Sequence, residues 1–387
     1  MPGPAADAVP LRTIGLHWTR IGVTGFGGPP THIALLRRLV VDQRHWIDHR
    51  EFEDAVAACN LLPGPASTQL AIFLARRLGG PRGAVLGGLG FIVPAVVLII
   101  ALSAVFFGET PPTWVRGAGD GAGAAVAAVA VRAGIDLARP SLERASSRER
   151  WLAYAILGAA AAALVAPYLV LVLLACGLVE LGVAAAATTD RTHVHSWLPI
   201  AAPAVVAAGG GLGALAWVAL KVGALSYGGG FVIIPLMQGD AVHTYHWMSS
   251  AQFLDAVALG QVTPGPVIAT VAAVGFAAHR VVGAVLAAAV AFAPSFAFVL
   301  LGGGQFERIR TSARAQAFLA GAGPAAIGAI LGAAIPLAAA LRETWQFGVL
   351  AVAAAALLIA RRGIVVTLLG AGIVGVVIAL AGGSVPR

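Results

Sequence analysis

A Pro-Gly-Pro break occurs twice in this sequence, each time inside a long apolar stretch. The first copy is Asn60-Leu61-Leu62-Pro63-Gly64-Pro65, and the second is Gln261-Val262-Thr263-Pro264-Gly265-Pro266. Proline cannot donate a backbone hydrogen bond and glycine relaxes φ, so a helix must stop and restart at each copy. Within lipid, non-helical backbone is tolerated only where protein buries it or where it lines a watery cavity. Each break is therefore a candidate site.

The two breaks belong to a repeat that extends well beyond them. Residues 51–65 and 252–266 are identical at eight of fifteen positions, at a constant spacing of 201 residues. We therefore predict two homologous halves, residues 1–190 and 198–387, joined by a linker at residues 191–197. The same spacing relates two further pairs upstream: Gly27-Gly28 with Gly228-Gly229, and Arg20 with Lys221.

The chain is too apolar for a soluble protein of 387 residues. Hydrophobic residues make up 59% of it and charged residues only 11%, which leaves too little polar surface to face water. The 49 glycines and 22 prolines lie within apolar segments as well as between them, a pattern typical of close-packed and interrupted membrane helices. We predict an all-α, multi-pass integral membrane protein.

The distribution of arginine suggests how the halves are oriented. Arginine-rich loops tend to face the cytoplasm, and here they follow different elements in the two halves, so equivalent elements should run in opposite directions. These loops are residues 76–82, 139–150, 303–314 and 361–362. If a broken or re-entrant hairpin begins each half and five spans follow, the chain has about 10 spans in an inverted-topology repeat. The alternative is six full spans per half in parallel orientation.

Interrupted helices at matching positions favour a transporter whose substrate binds near the membrane midplane. Half-helix N-termini there present unpaired N–H groups and a partial positive charge, so they favour an anion. The competing interpretation is that the breaks only bend helices for packing. The predicted substrate-binding residues are Arg20, Gly27, Gly28, His32, Asn60, Pro63, Gly64, Pro65, Ser67, Thr68, Lys221, Gly228, Gly229, Thr263, Pro264, Gly265 and Pro266.

Arg20 and Lys221 occupy equivalent repeat positions within apolar sequence. A cation at the membrane centre costs about 2.5–3.5 kcal/mol, so each should have a partner. That partner could be an oxyanion, or a carboxylate such as Asp54 or Asp255, in which case the pair is structural. In a third interpretation both side chains extend to the membrane interface.

Asp54 and Asp255 also share one repeat position, ahead of the Pro-Gly-Pro break. A carboxyl group near the site would couple anion movement to protons, so both are proton-coupling candidates. The alternative is a helix-start charge that complements the helix dipole in interfacial water. His32, beside the Gly-Gly-Pro-Pro break, could bind an anion or a proton, although a lone histidine more often satisfies a local hydrogen bond.

Several function classes lack the residues that they require. The sequence has no Walker A motif, no paired metal ligands and no nucleophile–base pattern, so we expect neither enzymatic activity, nor a cofactor, nor a bound metal. The net charge of +8 fits cytoplasmic loops that contact lipid better than a nucleic-acid surface. The sequence leaves open whether the chain forms a homodimer.

The motifs resemble the chromate ion transporter (CHR) family in its long two-domain form. The resemblance rests on Thr24-Gly25-Phe26-Gly27-Gly28-Pro29 with His32-Ile33, on both Pro-Gly-Pro segments, on Gln69-Leu70, and on Tyr227-Gly228-Gly229-Gly230. It implies gradient-driven efflux of chromate from the bacterial cytoplasm across the inner membrane, with sulfate as a structural analogue. The second half departs from the first, with Gly230 in place of Pro29 and Thr263 in place of Leu62, so we expect the halves to bind substrate unequally.

The sequence therefore predicts a secondary active transporter that exports chromate by alternating access. A carrier of sulfate or another inorganic anion is the alternative within transport, and a channel is a further one. A non-transporting membrane scaffold or sensor is the alternative from another class, in which the breaks are packing features.

Overall fold

The computed structural model describes residues 9–61, 64–165, 168–187, 210–226, 231–301 and 312–385. Throughout these ranges the regular structure is helical, which agrees with the predicted all-α class. The predicted linker at 191–197 lies outside the described residues.

The first half contains two short helices, a broken segment and a bundle of longer helices. They are α1 Leu11–Thr24, α2 Pro29–Arg37, α3 His49–Leu61, α4 Ala66–Phe106, α5 Thr113–Ala124, α6 Val126–Glu143, α7 Arg148–Leu164 and α8 Leu169–Ala187. A π-helix at Arg38–Gln43 extends α2.

The second half repeats this order. Its helices are α9 Leu212–Leu225, α10 Ile233–Gln238, α11 Ser250–Val262, α12 Val271–Leu301, α13 Ala313–Ala339, α14 Thr344–Ala354 and α15 Ile364–Leu380. A π-helix at Gly239–Thr244 extends α10, a 3₁₀ turn at Val267–Thr270 precedes α12, and a π-helix at Ala355–Ile359 extends α14.

Helix starts follow local sequence signals. Pro65 immediately precedes α4, where its missing N–H leaves no helical bond unmade. Ser249 and Gln252 form a reciprocal capping box at the start of α11. Helix α4 therefore begins directly after the first Pro-Gly-Pro segment. Helices α3 and α11, which are equivalent in the repeat, end at the first and the second Pro-Gly-Pro segment.

The loop predicted at residues 76–82 is a turn of two residues. Within α4 the helical conformation is interrupted at Gly79 and Gly80, whose φ values are −133° and +65°. Pro81 restarts the helix at once, because proline suits the first turn of a helix. Two residues therefore suffice to reverse the direction of the chain, where the arginine-rich sequence predicted a longer loop.

The halves repeat one another in backbone detail. The π-helices at Arg38–Gln43 and Gly239–Thr244 lie 201 residues apart, and each is followed by a histidine with positive φ, His45 at 50° and His246 at 52°. The kink in α4 recurs in α12 at His279 and Arg280. Such local irregularities are not required by helix formation in general, so their recurrence shows that the repeat is structural.

Five helical segments in the described part of the chain are long and apolar enough to cross a membrane. They are residues 66–106, 113–143, 169–186, 267–301 and 313–339, and shorter apolar helices occupy 212–225, 344–359 and 364–380. Large apolar side chains face outward on these helices, such as Val352 at 71% exposed and Ile359 at 82%. An apolar outer surface of this kind is suited to lipid.

Backbones approach closely where glycines face each other. A Cβ on Gly158 of α7 would collide with the Ala325 carbonyl of α13, and one on Gly328 would collide with the Ala155 carbonyl. Small residues allow such approach in membranes, where dispersion and not hydrophobic exclusion drives helix association. Glycines Gly117 and Gly375 join α5 to α15 in the same way.

Candidate functional site at the paired helix breaks

The breaks of opposite halves meet in the interior. The Gly265 N–H, in the second Pro-Gly-Pro segment, donates to the Gly25 carbonyl over 3.0 Å. Gly265 also lies against Gly22, since a Cβ on Gly265 would be 3.4 Å from the Gly22 carbonyl oxygen. A Cβ on Gly64 would likewise be 3.4 Å from the Gly223 carbonyl oxygen. Gly22 is the repeat counterpart of Gly223, so the same contact occurs twice with the halves exchanged.

Glycine is required at the centre of each break. Gly64 has a φ of +116° and Gly265 a φ of +98°, in a region that side chains with a Cβ rarely adopt. A Cβ on Gly265 would also lie 2.7 Å from the Ala95 Cβ. The breaks are therefore both bent and tightly enclosed.

His32 joins the two breaks through one carbonyl group. The ring is fully buried, and its Nε2 lies 2.9 Å from the Gly25 oxygen. It packs edge-to-face with the Phe91 ring, with 5.0 Å between the ring centroids. Because a carbonyl oxygen only accepts, Nε2 donates and Nδ1 of the neutral ring can accept from the Ser67 hydroxyl, 3.4 Å away. The Gly25 oxygen thus holds His32 and Gly265 together.

The N-terminus of α4 is polar and buried. Ser67, Thr68 and Gln69 follow Pro65 directly, and all are at most 2% exposed. The Thr68 and Gln69 N–H groups bond to the Pro65 carbonyl, whereas the first N–H groups of a helix have no acceptor within it. The Thr68 hydroxyl oxygen is buried with no hydrogen-bond partner in the described structure. This helix end can donate several hydrogen bonds to an anion.

The second half lacks this polar helix end. Val267, Ile268 and Ala269 occupy the positions of Ala66, Ser67 and Thr68. Thr263 and Thr270 are buried, and their hydroxyls bond to carbonyls within their own segment. The two breaks are alike in backbone but not in hydrogen-bonding capacity.

Lys221 pairs with a carboxylate that the sequence analysis did not name. Its Nζ lies 2.6 Å from Asp240 Oδ2, and their side chains are 19% and 11% exposed. The carboxylate partner of Lys221 is thus Asp240 rather than Asp54 or Asp255. Asp240 has no counterpart in the first half, where Leu39 occupies its position, and Arg20 there is exposed.

Asp54 and Asp255 lie in different surroundings despite their shared repeat position. Asp54 is exposed and lines an open cavity of about 330 Å³ with Glu51 and Arg50. Asp255 is part-buried, and its Oδ1 is sealed from solvent against α5, near Gly119. Only the second-half carboxyl therefore lies in the protein interior.

Comparison with known proteins identifies the family. The model of the chromate transporter family matches residues 12–181 and 213–376, so each matched segment contains one break. The chain belongs to the chromate transporter family. It is 32% identical over 341 residues to the chromate transport protein of Cupriavidus metallidurans, covering 86% of this chain and 84% of that protein. It is 34% identical over 337 residues to the chromate transport protein of Pseudomonas aeruginosa, covering 83% and 80%.

Membership of this family makes the chain a transporter rather than an enzyme. A third relative, the probable chromate transport protein of Synechococcus elongatus, is 28% identical over 339 residues, with 85% of each chain covered. No solved structure matches the chain significantly.

Some predicted site residues of this transporter are not described. Pro63, Gly228 and Gly229 lie outside the described residues, and the Asn60 side chain is likewise not described. Of the others, the structure brings Gly64, Pro65, Ser67 and Thr68 together with His32, near the first-half break. It places Gly27 and Gly28 on the loop ahead of α2, with Gly28 facing Val267 of the other half.

Sequence reasoning missed three interior acids of this transporter: Asp120, Glu180 and Asp240. Each is a single acid within an apolar stretch, which by itself marks a functional or paired residue. Glu180 accepts from Arg150 and Tyr154, and Asp240 pairs with Lys221. Asp120 stands between alternating glycines in residues 117–123, and an acid in such a segment of small residues could have been predicted as a functional residue.

The Lys221–Asp240 pair is expected to be structural, and a double-mutant cycle tests this. Lys221→Met or Asp240→Leu alone leaves one buried charge without its partner, which costs about 3–5 kcal/mol. The double variant replaces both charges with apolar groups and should regain thermal stability and transport. Stability that returns without transport would contradict a purely structural role and would indicate a contact between Lys221 and substrate.

Proposed function

We propose that this protein is a secondary active transporter that moves an oxyanion, with chromate as its principal substrate. The observation that carries the proposal is the buried polar N-terminus of α4 at a helix break that meets the opposite half. The names of the relatives, which are chromate transport proteins, supply the choice of chromate among oxyanions.

The chemistry of the break fits a tetrahedral dianion. The first N–H groups of α4 and the hydroxyl of Thr68 can together donate to several oxygens of one anion. Sulfate has the same shape and charge as chromate, so the same donors suit it. A sulfate carrier is therefore the alternative function. Binding through backbone donors is consistent with selection by shape and charge.

Substrate must reach this site by a conformational change. Ser67, Thr68 and His32 are all buried, so the described conformation closes the site to solvent. We infer alternating access, in which the two halves rock about the junction at Gly25 and Gly265. The exchanged contacts of Gly22 with Gly265 and of Gly223 with Gly64 support a two-fold relation between the halves, as an inverted-topology repeat requires.

Export across the bacterial inner membrane is part of the proposal. A gradient must supply the energy, since the described residues contain no group of metal ligands and the sequence contains no nucleotide-binding motif. We assign proton coupling to Asp255 rather than Asp54, because Asp255 lies in the interior on the helix that ends at the second break.

The test measures labelled chromate uptake into inverted membrane vesicles with and without an uncoupler. Uncoupler-sensitive uptake that sulfate competes would support the proposal. A scaffold or sensor would give no uptake from correctly inserted protein, and a channel would never accumulate chromate above its external concentration.

Thr68→Val is expected to weaken substrate binding while preserving the fold. Valine has nearly the same shape but lacks the unpartnered hydroxyl, so the KM for chromate should rise by about fivefold to tenfold, the effect of one lost hydrogen bond. Thr367→Val is the matched control, because that hydroxyl bonds to the Gly363 carbonyl of its own helix on an exposed face. Equal KM values for both variants would exclude Thr68 from the site.

A further inference from the structure

We propose that Asp120 of the first half and Asp255 of the second form a carboxyl pair that binds the transported proton. The inference rests on the proposed function, because it names the residues through which that transport would be coupled. It adds Asp120 to the proton-coupling site proposed at Asp255, so that each half of the chain contributes one residue to this site.

The Asp255 carboxyl group lies against α5 where α11 packs on it, next to the position of Asp120. Asp255 Oδ1 approaches the backbone of α5 closely: a Cβ on Gly119 would lie 2.7 Å from it, and one on Gly123 would lie 3.5 Å from it. The two glycines therefore make room for the carboxyl group. Asp120 follows Gly119 directly, so it lies on the same turn of α5 that the Asp255 carboxyl group contacts.

Both groups have unused hydrogen-bonding capacity in the interior. Asp120 is 6% exposed, and its Oδ2 has no hydrogen-bond partner among the described residues. The same holds for Asp255 Oδ1. Two carboxylates on packed helices in an interior of low polarity repel each other, and one proton bound by the pair removes most of that repulsion.

The other charged groups around the pair do not neutralise it. Arg116 lies one turn earlier on α5 and attracts Asp120, but no ion pair joins them, and its buried Nε has no hydrogen-bond partner in the described structure. Glu343 adds negative charge from the start of α14, where it accepts from the Ser384 hydroxyl. Helix α15, which also packs on α5, has no titratable residue.

A proton fits this pair better than a metal cation does. Cations such as Ca²⁺ take six or more oxygen ligands, and the described residues contain no group of three or more acidic, histidine or cysteine side chains arranged to hold a metal ion. A shared proton needs only two oxygens. Of the charged side chains on α4 and α6, Arg77 pairs with Glu51 and Arg132 pairs with Asp136.

The pair is mechanically connected to the helix breaks. Asp255 precedes Thr263 by eight residues on α11, about 12 Å along a helix. The next residues include Gly265, whose N–H bonds to the Gly25 carbonyl that His32 also contacts. Loss of the proton would push α11 away from α5, and a rigid helix would carry that displacement to the junction between the halves.

The test compares two transport modes of the full-length protein in proteoliposomes. Asp120→Asn and Asp255→Asn should retain exchange of labelled for unlabelled chromate at equal pH, since exchange needs no net proton movement. Both should lose accumulation driven by a pH gradient, so that the internal chromate falls to its passive level. Asp42→Asn, at an exposed position, should retain both modes. Accumulation that persists in both variants, or that follows a sodium gradient instead, would overturn the proposal.

A direct measurement on the protein separates this proposal from the proposed function. The wild-type protein in detergent should show an infrared band of a protonated carboxyl group that titrates with pH and is absent from Asp120→Asn and Asp255→Asn. The thermal stability of the wild type should fall as the pH rises through that titration, because two unneutralised carboxylates remain. A band unchanged in both variants refutes the proton pair, whatever the substrate. Absence of chromate transport with the band intact refutes only the substrate.

Discussion

Replacing His32 with alanine is expected to abolish gradient-driven transport. The Gly25 carbonyl would lose the donor at 2.9 Å, and the junction between the halves would retain only the Gly265 N–H. The loss of a buried hydrogen bond costs about 1–3 kcal/mol, so the protein should still insert while its breaks become mispositioned. Uptake into inverted vesicles, normalised to inserted protein, measures the effect.

His32→Gln distinguishes positioning from simple loss of packing. A glutamine amide can donate to the Gly25 oxygen, so this variant should recover part of the transport that alanine abolishes. His49→Ala is the matched control, because that side chain is 62% exposed at the start of α3. Full transport in His32→Ala would show that the junction does not depend on this ring.

Gly158→Ala is expected to destabilise the folded protein strongly. The new Cβ would collide with the Ala325 carbonyl, a backbone atom that cannot rotate away. Helices α7 and α13 would have to separate, and overpacking of this kind costs about 1–3 kcal/mol. The reciprocal change Gly328→Ala, against Ala155, should behave in the same way. Thermal unfolding in detergent, with the yield of monodisperse protein, measures both.

Gly182→Ala is the matched control for this prediction. Gly182 lies in α8, and a Cβ there would meet nothing within 4 Å. Alanine favours helix over glycine by up to about 1 kcal/mol, so the Tm should be unchanged or slightly higher. A Tm that falls equally in Gly158→Ala and Gly182→Ala would mean that the α7–α13 contact is not tightly packed.

The asymmetry of the two halves connects the anion site with the proposed proton site. The polar residues Ser67 and Thr68 lie in the first half, and their counterparts Ile268 and Ala269 are apolar. The buried carboxyl Asp255 lies in the second half, and its counterpart Asp54 is exposed. Two halves with the same backbone can therefore have different functions. In this proposal substrate binds at the first-half break, and the proton binds beside α11, the helix that ends at the second-half break.

Sequence alone determined the class of this protein and the places where its helices break. Apolar composition requires a membrane environment, and a Pro-Gly-Pro segment interrupts a helix wherever it occurs, because the missing N–H groups are a covalent property. The bounds of α15, Ile364–Leu380, coincide with the ends of one apolar run for the same reason: a long apolar run with clear ends is local information.

Only the tertiary structure decided which residues meet. Asp240 pairs with Lys221, Asp255 contacts Gly119 beside Asp120, and Gly25 binds Gly265. These partners are between 19 and 240 residues apart in the chain, and many carboxylates and carbonyls could serve each donor equally well by chemistry. The choice among them depends on how closely the backbones approach, and that distance is set by the packing of small residues over the whole bundle rather than by any local pattern.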